Sequence, residues 1–211
     1  MSTDLLVVDH PLALHRLSQL RDVRTDNGAF GRLVAELSAF VAYEALRDLG
    51  TVEYRIATPV APAVTCPRVG ETVVLVPVLR AGLGMVPALQ ALLPVTEVAH
   101  VGLRRDEATL EAEVYLDLLP PDLSGRRVVV CDPMLATGGS LAQVADMVKA
   151  QRAESVTVLA LIASVPGLEL LRSRHPDVAV ACVAVDPALD HRGFIVPGLG
   201  DAGDRLYGRP G

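Results

Sequence analysis

Five short apolar runs between residues 72 and 186 dominate the pattern of hydrophobic and polar positions along the chain. Their apolar residues are consecutive rather than alternating, which is typical of strands buried on both faces of a sheet. The predicted strands are residues 72–79, 96–103, 127–132, 155–163 and 178–186. Between several of them apolar residues recur at helical spacing, as at Leu141, Val144 and Val148. The pattern predicts an α/β fold with a central, mostly parallel sheet flanked by helices.

The segments on either side of these strands have other patterns. Phe30, Leu33 and Leu37 recur in steps of 3 and 4 residues, which predicts an amphipathic helix that continues to about residue 50. Residues 51–68 are predicted as extended segments or a hairpin with prolines at the turns. The tail after the last predicted strand is rich in glycine and proline and shows no period. A long irregular segment in a compact domain is more often functional than accidental.

The composition is that of one compact domain. With 211 residues and no linker-like stretch, the chain is long enough for a single domain with a sizeable core. The longest strongly apolar run, residues 156–165, is far shorter than the ~20 residues that cross a bilayer. Asp4 stands where a secretory signal carries positive charge. We therefore expect a cytoplasmic protein that has no membrane partner.

Charge and cysteine content exclude several classes of function. The formal net charge of −6 argues against a nucleic-acid partner, because such a partner requires a basic face. The cysteines Cys66, Cys131 and Cys182 are far apart and form no CxxC pair, so neither a disulfide framework nor a zinc site is predicted. They are interpreted as buried or half-buried free thiols. An anionic ligand would have to be held by local groups.

One motif joins a predicted strand to a predicted helix. Residues 128–140 read VVVCDPMLATGGS, so that Asp132 ends a buried strand and residues 136–140 provide small side chains at the start of the next helix. Ligands of open parallel sheets bind at the carboxyl ends of the strands. Main-chain N–H groups, the helix dipole and the hydroxyls of Thr137 and Ser140 suit a phosphate there. The competing interpretation is an ordinary glycine-rich turn between a strand and a helix.

Two other phosphate-binding motifs are excluded. A Walker loop needs a lysine directly after its second glycine, whereas Ser140 follows Gly139 and the nearest lysine is Lys149. A GxGxxG sequence occurs at residues 198–203, but it follows Pro197 rather than a strand, and only eight residues remain after it. No βαβ unit can form there. The acid and the small-residue loop together favour a ligand with sugar hydroxyls beside a monophosphate.

Four motifs resemble the type I phosphoribosyltransferases, and within them the uracil phosphoribosyltransferase family. They are YEALRDL at 43–49, LRAGLGM at 79–85, DPMLATGGS at 132–140 and IVPGLGDAGDRLYG at 195–208. The likeness begins with DHPL at Asp9 and continues into the tail, so it spans nearly the whole chain. Other type I enzymes usually have two adjacent acids where this chain has Asp132 and Pro133. The Asp-Pro form is typical of the uracil branch.

The resemblance implies a reaction, a cofactor and an architecture. The reaction is uracil + phosphoribosyl pyrophosphate (PRPP) → UMP + pyrophosphate, a pentosyl transfer of pyrimidine salvage that depends on Mg²⁺. The metal is expected to be held mainly through PRPP and water rather than by protein ligands. The single domain would comprise a core of about residues 70–186 and a small hood from residues 1–69 and 187–211. The family implies a homodimer or homotetramer, and some of its members respond to GTP as an effector.

The resemblance also assigns residues to PRPP. Arg80 and Arg105 match arginines that hold the PRPP phosphates, where a guanidinium can bind two phosphate oxygens and stays charged. Asp201 matches a residue associated with PRPP binding through Mg²⁺-bound water, and it is a weak candidate for the base that takes the N1 proton of uracil. Asp201 and Arg105 are the candidate catalytic residues. The full PRPP set is Arg80, Arg105, Asp132, Pro133, Met134, Leu135, Ala136, Thr137, Gly138, Gly139, Ser140 and Asp201.

The uracil site implied by the resemblance uses the main chain of the tail. Uracil presents an acceptor, a donor and an acceptor along O2, N3–H and O4, which N–H, C=O and N–H groups of a closely approaching main chain would match. The family's groups correspond to the N–H groups of Gly200 and Ala202 and the carbonyl of Ile195. The predicted uracil set is Ile195, Gly200, Asp201 and Ala202. Cytosine would bring an amino donor against an N–H donor, so strong rejection is expected.

Two residues of the tail depart from the family's usual sequence, and two alternative functions stay open. Phe194 and Arg192 stand where the family usually has tyrosine and histidine, and no role is assigned to Arg104. The charged stretch 105–115 is predicted as a lid that closes over the reactants and excludes water. Two alternatives are a uridine-nucleotide sensor with the same fold that binds RNA, and a transferase for another base. The acidic balance counts against the first, and the Asp-Pro pair counts against the second.

Overall fold

The computed structural model describes residues 5–93, 97–105 and 112–208. The helices are α1 Pro11–Arg21, α2 Asn27–Ala45, α3 Val86–Leu92, α4 Gly139–Ala150, α5 Val165–Arg174 and α6 Ala202–Tyr207, with a 3₁₀ turn at Ala81–Gly84. The strands are β1 Leu5–Val7, β2 Thr51–Thr58, β3 Ala61–Val69, β4 Val73–Leu79, β5 Glu97–Val98, β6 Val101–Arg105, β7 Ala112–Asp117, β8 Arg127–Cys131, β9 Met134–Leu135, β10 Ser155–Leu159, β11 Ile162–Ser164, β12 Ala179–Cys182, β13 Ala184–Asp186, β14 Ala188–Leu189 and β15 Ile195–Val196. Within the described residues, no helix has the length and apolar character that a membrane span requires.

Most of the strands form one central sheet in the order β1-β12-β10-β8-β4-β6-β7, with β5 also paired to β4. Neighbouring strands are parallel except for β6 and β7, which are antiparallel. In the middle of the sheet Val129 lies opposite Leu75 on one side and Thr157 on the other. β5 and β6 divide the strand predicted for residues 96–103 between them. The predicted central, mostly parallel sheet is confirmed.

Helices cover both faces of this sheet, as predicted. Along β4 the side chains of Val73 and Leu75 join one buried cluster, whereas those of Val74 and Val76 join another. The first cluster includes residues of α1, α2 and α3, and the second includes residues of α4 and α5. Alternate residues of a strand point to opposite faces of the sheet, so a strand covered on both sides is apolar at every position. This burial explains the continuous apolar runs of the sequence.

Two predicted strands are interrupted near the carboxyl end of the sheet. The run 155–163 divides into β10 and β11, and the run 178–186 divides into β12 and β13. At the first break the carbonyl of Pro133 accepts hydrogen bonds from the N–H groups of Leu161 and Ile162, at 2.9 and 3.1 Å. β9, β11 and β13 then form a small parallel sheet of their own. The prediction of unbroken strands was wrong, since β11 and β13 pair within this small sheet instead of continuing β10 and β12 in the central one.

The predicted amphipathic helix is α2. It begins where Asp26 accepts a hydrogen bond from the N–H of Ala29 at 2.8 Å and so caps the first turn. Its apolar stripe faces the sheet, and Phe30 and Leu37 are completely buried. The helix ends at Ala45, earlier than the predicted end near residue 50.

The predicted hairpin is confirmed as β2 and β3, which pair antiparallel with Thr51 opposite Val69. Pro59 lies at its turn, whereas Pro62 and Pro67 lie within β3 rather than at turns. The two strands form a separate sheet, and most of their residues are exposed. The hairpin therefore extends from the body of the domain.

The tail is more regular than the sequence predicted. β14 and β15 pair as a short antiparallel hairpin, and α6 follows them. These elements have 2, 2 and 6 residues, too few for a period to be visible in the sequence. At the other end of the chain, β1 is an edge strand of the central sheet and α2 packs against that sheet. The division into a core at 70–186 and a hood stays a prediction.

Candidate active site

The loop between β8 and α4 forms the centre of the candidate site. Asp132 follows β8 at the carboxyl end of the sheet, and its Oδ1 accepts a hydrogen bond from the N–H of Met134 at 3.1 Å. Gly138 has a φ of 83°, and a Cβ there would lie 2.5 Å from the carbonyl oxygen of Gly167. Only glycine tolerates both conditions. α4 then begins at Gly139 without a side-chain cap, which leaves its first N–H groups directed at the space in front of the helix.

The start of α5 supports this loop. The Ser164 hydroxyl donates a hydrogen bond to the carbonyl of Ala136 at 2.5 Å and accepts one from the N–H of Gly167 at 2.9 Å. Ser164 is completely buried and caps α5. The C=O and N–H of a trans peptide unit point in opposite directions, so the N–H of Thr137 points away from Ser164. The support is built from residues close to the loop in sequence.

A cavity of about 200 Å³ lies between this loop and the start of α6. The predicted PRPP residues in its walls are Asp132, Met134, Ala136, Thr137, Gly138, Ser140 and Asp201. Ala202, from the predicted uracil set, also lines it. Pro133 and Leu135 are buried behind the loop, so their side chains serve its packing. The fold thus brings the end of β8 and the beginning of α6 to one cavity.

Asp132 has a strongly shifted pKa in this cavity. Burial raises its pKa to about 7, opposed by the hydrogen bond from Met134 and reinforced by the negative charge of Asp201. The residue is half-buried and borders the cavity. A carboxyl that titrates near neutral pH in a cleft is typical of a functional site.

The three cysteines are free, as predicted, and two of them are the last residues of β8 and β12. Cys131 and Cys182 are buried, and Cys66 is half-buried. Burial raises the pKa of Cys182 to about 12 and that of Cys131 further still. Thiols with raised pKa values are poor nucleophiles, so these two are structural.

Arg80 lies at the rim of the cavity, where β4 ends. Its guanidinium forms an ion pair with Asp204 of α6 at 3.2 Å and donates to the carbonyl of Gly208 at 3.4 Å. A Cβ built on Gly203, a residue of the cavity wall, would lie 3.6 Å from Nη2 of Arg80. Its side chain is 42% exposed, so a ligand in the cavity can reach the guanidinium.

Arg105 and the predicted lid are described only in part. Arg105 ends β6, where its main chain pairs with Ala112 of β7. The Arg105 side chain and residues 106–111 lie outside the described part of the chain, so the roles assigned to Arg105 and to the lid stay predictions. The neighbouring Arg104 forms an exposed ion pair with Glu113 across the two strands, at 2.7 Å. This pair supports the β6–β7 hairpin.

The predicted uracil residues lie on two sides of the loop that joins β15 to α6. Asp201 caps α6 by accepting a hydrogen bond from the N–H of Asp204 at 2.8 Å. Asp201 and Ala202 border the first cavity, whereas Gly200 and Asp201 border a second cavity of about 480 Å³. Ile195 is buried at the start of the loop. Asp201 is therefore the residue that the two cavities share.

An ion pair that the sequence analysis missed holds this loop. Two nitrogens of Arg21, at the end of α1, donate to the two carboxylate oxygens of Asp186, both at 2.7 Å. Arg21 also donates to the carbonyl of Gly198 at 2.7 Å, and the N–H of Gly198 donates to Asp186 at 3.0 Å. A basic residue at a helix end and an acid at a strand end were the available signals, but both are common.

The two departures from the usual family residues contact each other. The guanidinium of Arg192 lies over the Phe194 ring, 4.9 Å from its centroid. The N–H groups of Phe194 and Arg192 both donate to the Asp190 carboxylate, each at 2.9 Å. These hydrogen bonds lower the pKa of Asp190, and the bond from Phe194 has the larger effect. A cation over an aromatic face stabilises both groups. We interpret Phe194 and Arg192 as a matched pair.

Comparisons with known proteins agree with these features. A family model described as uracil phosphoribosyltransferase matches residues 7–209. The chain belongs to the uracil phosphoribosyltransferase family. A protein of that name from Kineococcus radiotolerans is 49% identical over 207 residues, which cover 97% of this chain and 98% of the relative. Another, from Halalkalibacterium halodurans, is 46% identical over 202 residues, covering 96% and 97%.

Solved structures confirm the fold of the family member. The AQ2163 protein from Aquifex aeolicus is 33% identical and superposes with a TM-score of 0.92 over 97% of this chain and 98% of its own. A hypoxanthine phosphoribosyltransferase from Trypanosoma cruzi, complexed with its product IMP, superposes with a TM-score of 0.51 over 80% of this chain and 81% of its own, at 16% identity. The second likeness shows the fold alone, and that fold is the predicted type I phosphoribosyltransferase fold.

Proposed function

We propose that this protein is a pentosyltransferase that transfers the 5-phosphoribosyl group of PRPP to N1 of uracil and releases UMP and pyrophosphate, in pyrimidine salvage. The observation that carries the proposal is the single cavity bordered by Asp132, by the uncapped start of α4 and by Asp201 and Ala202 of α6. The cavity would thus bring together a phosphate at the start of α4, the carboxyl of Asp132 and the main chain at the start of α6. Membership of the uracil phosphoribosyltransferase family supports uracil as the base.

The start of α4 is the proposed site of the 5′-phosphate. The first N–H groups of the helix have no intrahelical partner, and the helix dipole adds partial positive charge. The Thr137 and Ser140 residues line the same cavity, and their hydroxyls supply further donors. Gly138 and Gly139 let the phosphate approach the main chain. A net charge of −6 makes such a local site necessary for a polyanionic substrate.

Asp132 and the arginines have distinct proposed roles around the ribose. The Asp132 carboxylate accepts hydrogen bonds from the ribose hydroxyls at the end of β8. Arg80, and Arg105 from β6, hold the pyrophosphate and stabilise the charge that develops on it as it leaves. The pyrophosphate would compete with Asp204 for Arg80, since the two are paired in this structure.

The cavity suits Mg²⁺, on which phosphoribosyltransferases generally depend. Asp132 and Asp201 both border it, and their oxygens are the hard ligands that Mg²⁺ prefers. When bound, the metal neutralises charge on the pyrophosphate. With two carboxylates available, most of its ligands would come from PRPP and water, as the family implies.

The base is proposed to meet the main chain of the loop before α6. The N–H groups of Gly200 and Ala202 and the carbonyl of Ile195 would face uracil O2, O4 and N3–H. Asp201, between the two donors, would contact PRPP and take the N1 proton. Holding uracil and PRPP in line would supply most of the acceleration.

The remaining properties concern assembly and location. A two-stranded hairpin is marginal by itself, and the exposure of β2 and β3 supports a homodimer or homotetramer in which a second copy covers them. Free thiols fit a cytoplasmic location, where cysteines stay reduced. The GTP response of some family members is carried over as a prediction for this chain.

Incubation of the protein with PRPP, Mg²⁺ and one free base at a time tests the proposed function. We expect UMP and pyrophosphate from uracil, and no nucleotide from cytosine, hypoxanthine or adenine. Product from another base in place of uracil would overturn the assignment. Filter binding with RNA tests the alternative regulator, which the comparisons do not support, and we expect no retention.

A further inference from the structure

Arg205 of α6 lies on the side of the β15–α6 loop that faces the α1–α2 connection, where it lines the second cavity together with Leu199 and Gly200. Its guanidinium donates to four main-chain carbonyls: Leu20 at 2.6 Å, Leu199 at 2.9 Å, Asp22 at 2.7 Å and Thr25 at 3.3 Å. The same group stacks on Phe30, 4.3 Å from the ring centroid. Burial lowers the pKa of Arg205, although an arginine stays charged at any working pH.

One of these four bonds bears on the base site. The carbonyl of Leu199 and the N–H of Gly200 belong to the same planar trans peptide unit, in which they point in opposite directions. Because Arg205 holds the carbonyl on the side of the α1–α2 connection, the N–H of Gly200 points to the other side of the loop. That N–H is one of the two donors proposed for uracil.

The peptide unit has little intrinsic preference for this orientation. Gly200 has a φ of 82°, and glycine adopts positive and negative φ about equally well, so the unit can rotate at small cost. The hydrogen bond from Arg205 to the Leu199 carbonyl therefore favours one orientation of this peptide unit, and with it one direction of the Gly200 N–H.

The neighbouring part of the loop is held from the same side. Arg21 donates to the carbonyl of Gly198, and Asp186 accepts from its N–H. Two consecutive carbonyls, of Gly198 and Leu199, are therefore bound by two arginines. This arrangement aims the loop's main chain before a ligand arrives, which reduces the cost of binding.

We propose that Arg205 is a positioning residue for base recognition, which holds the peptide unit between Leu199 and Gly200 so that the Gly200 N–H faces an oxygen of uracil. The inference rests on the proposed function. It predicts an effect on uracil that is separate from any effect on PRPP, because Arg205 reaches the loop of the base and none of its four acceptors belongs to the loop after β8.

Steady-state kinetics of Arg205→Met test the proposal. Methionine keeps an apolar stem against Phe30 but cannot donate to Leu199. We expect the KM for uracil to rise about tenfold or more and the KM for PRPP to stay within about twofold. Arg24→Met is the matched control, because Arg24 lies in the same α1–α2 connection, pairs with Asp22 and is 86% exposed. Its two KM values should match those of the wild type.

Thiouracils provide a readout that a merely structural role would not move. 2-Thiouracil and 4-thiouracil each replace one acceptor oxygen by a weaker acceptor, sulfur. In the wild type, each thiouracil should compete with uracil less well than an analogue that keeps both oxygens, so its inhibition constant should be higher. In Arg205→Met the penalty for the position that faces Gly200 should shrink several-fold, while the penalty for the other position stays unchanged. General loosening of the protein would change both penalties alike.

The outcomes separate the inference from the proposed function. If the wild type forms no UMP, the proposed function fails. If it does, a folded Arg205→Met with an unchanged KM for uracil, or with equal rises for both substrates, overturns the inference alone. Should Arg205→Met not fold, Arg205→Lys carries the same test, because lysine keeps the charge but cannot reach all four carbonyls. Failure of both variants to fold would make Arg205 structural and would also overturn the inference.

Discussion

The contacts that hold the loop after β8 come from the same part of the chain, whereas those that hold the loop before α6 depend on both ends of the chain. Ala136 is bound by Ser164, 28 residues away, and Gly138 shapes its own turn. Gly198 and Leu199 are bound by Arg21 and by Arg205, and Arg205 itself is anchored to Leu20, 185 residues away. The contacts of the phosphate loop thus lie within residues 132–167, whereas those of the base loop require α1 and the α1–α2 connection.

The largest effect that we expect from breaking the local loop is that of Gly138→Ala. A side chain there must adopt an unfavourable φ of 83° and would approach the Gly167 carbonyl to 2.5 Å, so the phosphate donors shift. Misplacement of about 1 Å costs about 100-fold, and we expect kcat/KM for PRPP to fall by at least that factor. Gly125→Ala is the control, because Gly125 has a φ of 69° with nothing within 4 Å of its Cβ position. Equal kinetics of both variants would contradict the local account.

The next largest effect concerns Asp201, where the two loops meet. Asp201→Asn keeps the cap of α6, since asparagine caps helices as well as aspartate does, but it removes the charge. We expect kcat/KM to fall about tenfold to 100-fold in Asp201→Asn, with unchanged thermal stability. Asp201→Ala should add a loss of about 1 kcal/mol in the free energy of unfolding. Full turnover in both variants would remove Asp201 from binding and from catalysis.

Breaking the long-range support should cost stability first and base affinity second. Arg21→Met leaves the carboxylate of Asp186, which is only 5% exposed, without its partner. We expect the free energy of unfolding in urea to fall by about 3 kcal/mol, with a rise of a few-fold in the KM for uracil. The double variant Arg21→Met with Asp186→Asn should recover part of the stability. A rise in the KM for PRPP instead of the KM for uracil would show that the two loops are not supported separately.

The last effect that we expect is a pH dependence at Asp132. Its folded pKa of about 7 lies above the ordinary pKa of 3.8 of an aspartate side chain, so the folded state binds more protons than the unfolded state between these values. The stabilising contribution is therefore complete below pH 3.8 and is lost as the pH rises to about 7. At pH 8 the free energy of unfolding of Asp132→Asn should exceed that of the wild type by about 2 kcal/mol. This is less than the full pKa shift implies, because Asp132 is partly exposed.

The same titration should appear in the kinetics. The pH profile of kcat/KM for PRPP reports the ionisation of the free enzyme, so its acidic limb should have a pKa of about 7. Asp132→Asn should lose this limb together with activity. A wild-type profile that is flat between pH 6 and 8 would show that Asp132 does not titrate in this range.

Much of the fold and the phosphate site could be predicted because their determinants are local. Continuous apolar runs such as β4 and β8 follow from burial on both faces, and the residues after Asp132 follow from what a phosphate needs at a helix start. The helix α1 was not predicted. In α1, Leu12 and Leu14 are 59% and 43% exposed, so its leucines do not form a single apolar stripe.

The base loop could be located by resemblance but not explained. Its glycines and prolines show that the chain turns sharply there, and the motif indicates which main-chain groups serve the base. The partners of those groups did not emerge, because Arg21, Asp186 and Arg205 are ordinary charged residues until the chain folds. Likewise, the breaks in β10 and β12 depend on hydrogen bonds between strands, which no single segment encodes.

The sequence by itself determined the sheet, the phosphate loop and the family, because apolar periodicity, glycine conformation and motif spacing act over a few residues. Tertiary structure alone decided how the base loop is aimed. The orientation of one peptide unit, between Leu199 and Gly200, depends on a hydrogen bond from Arg205. The position of that arginine depends in turn on carbonyls of α1 and of the α1–α2 connection, and a glycine leaves the peptide free to follow it.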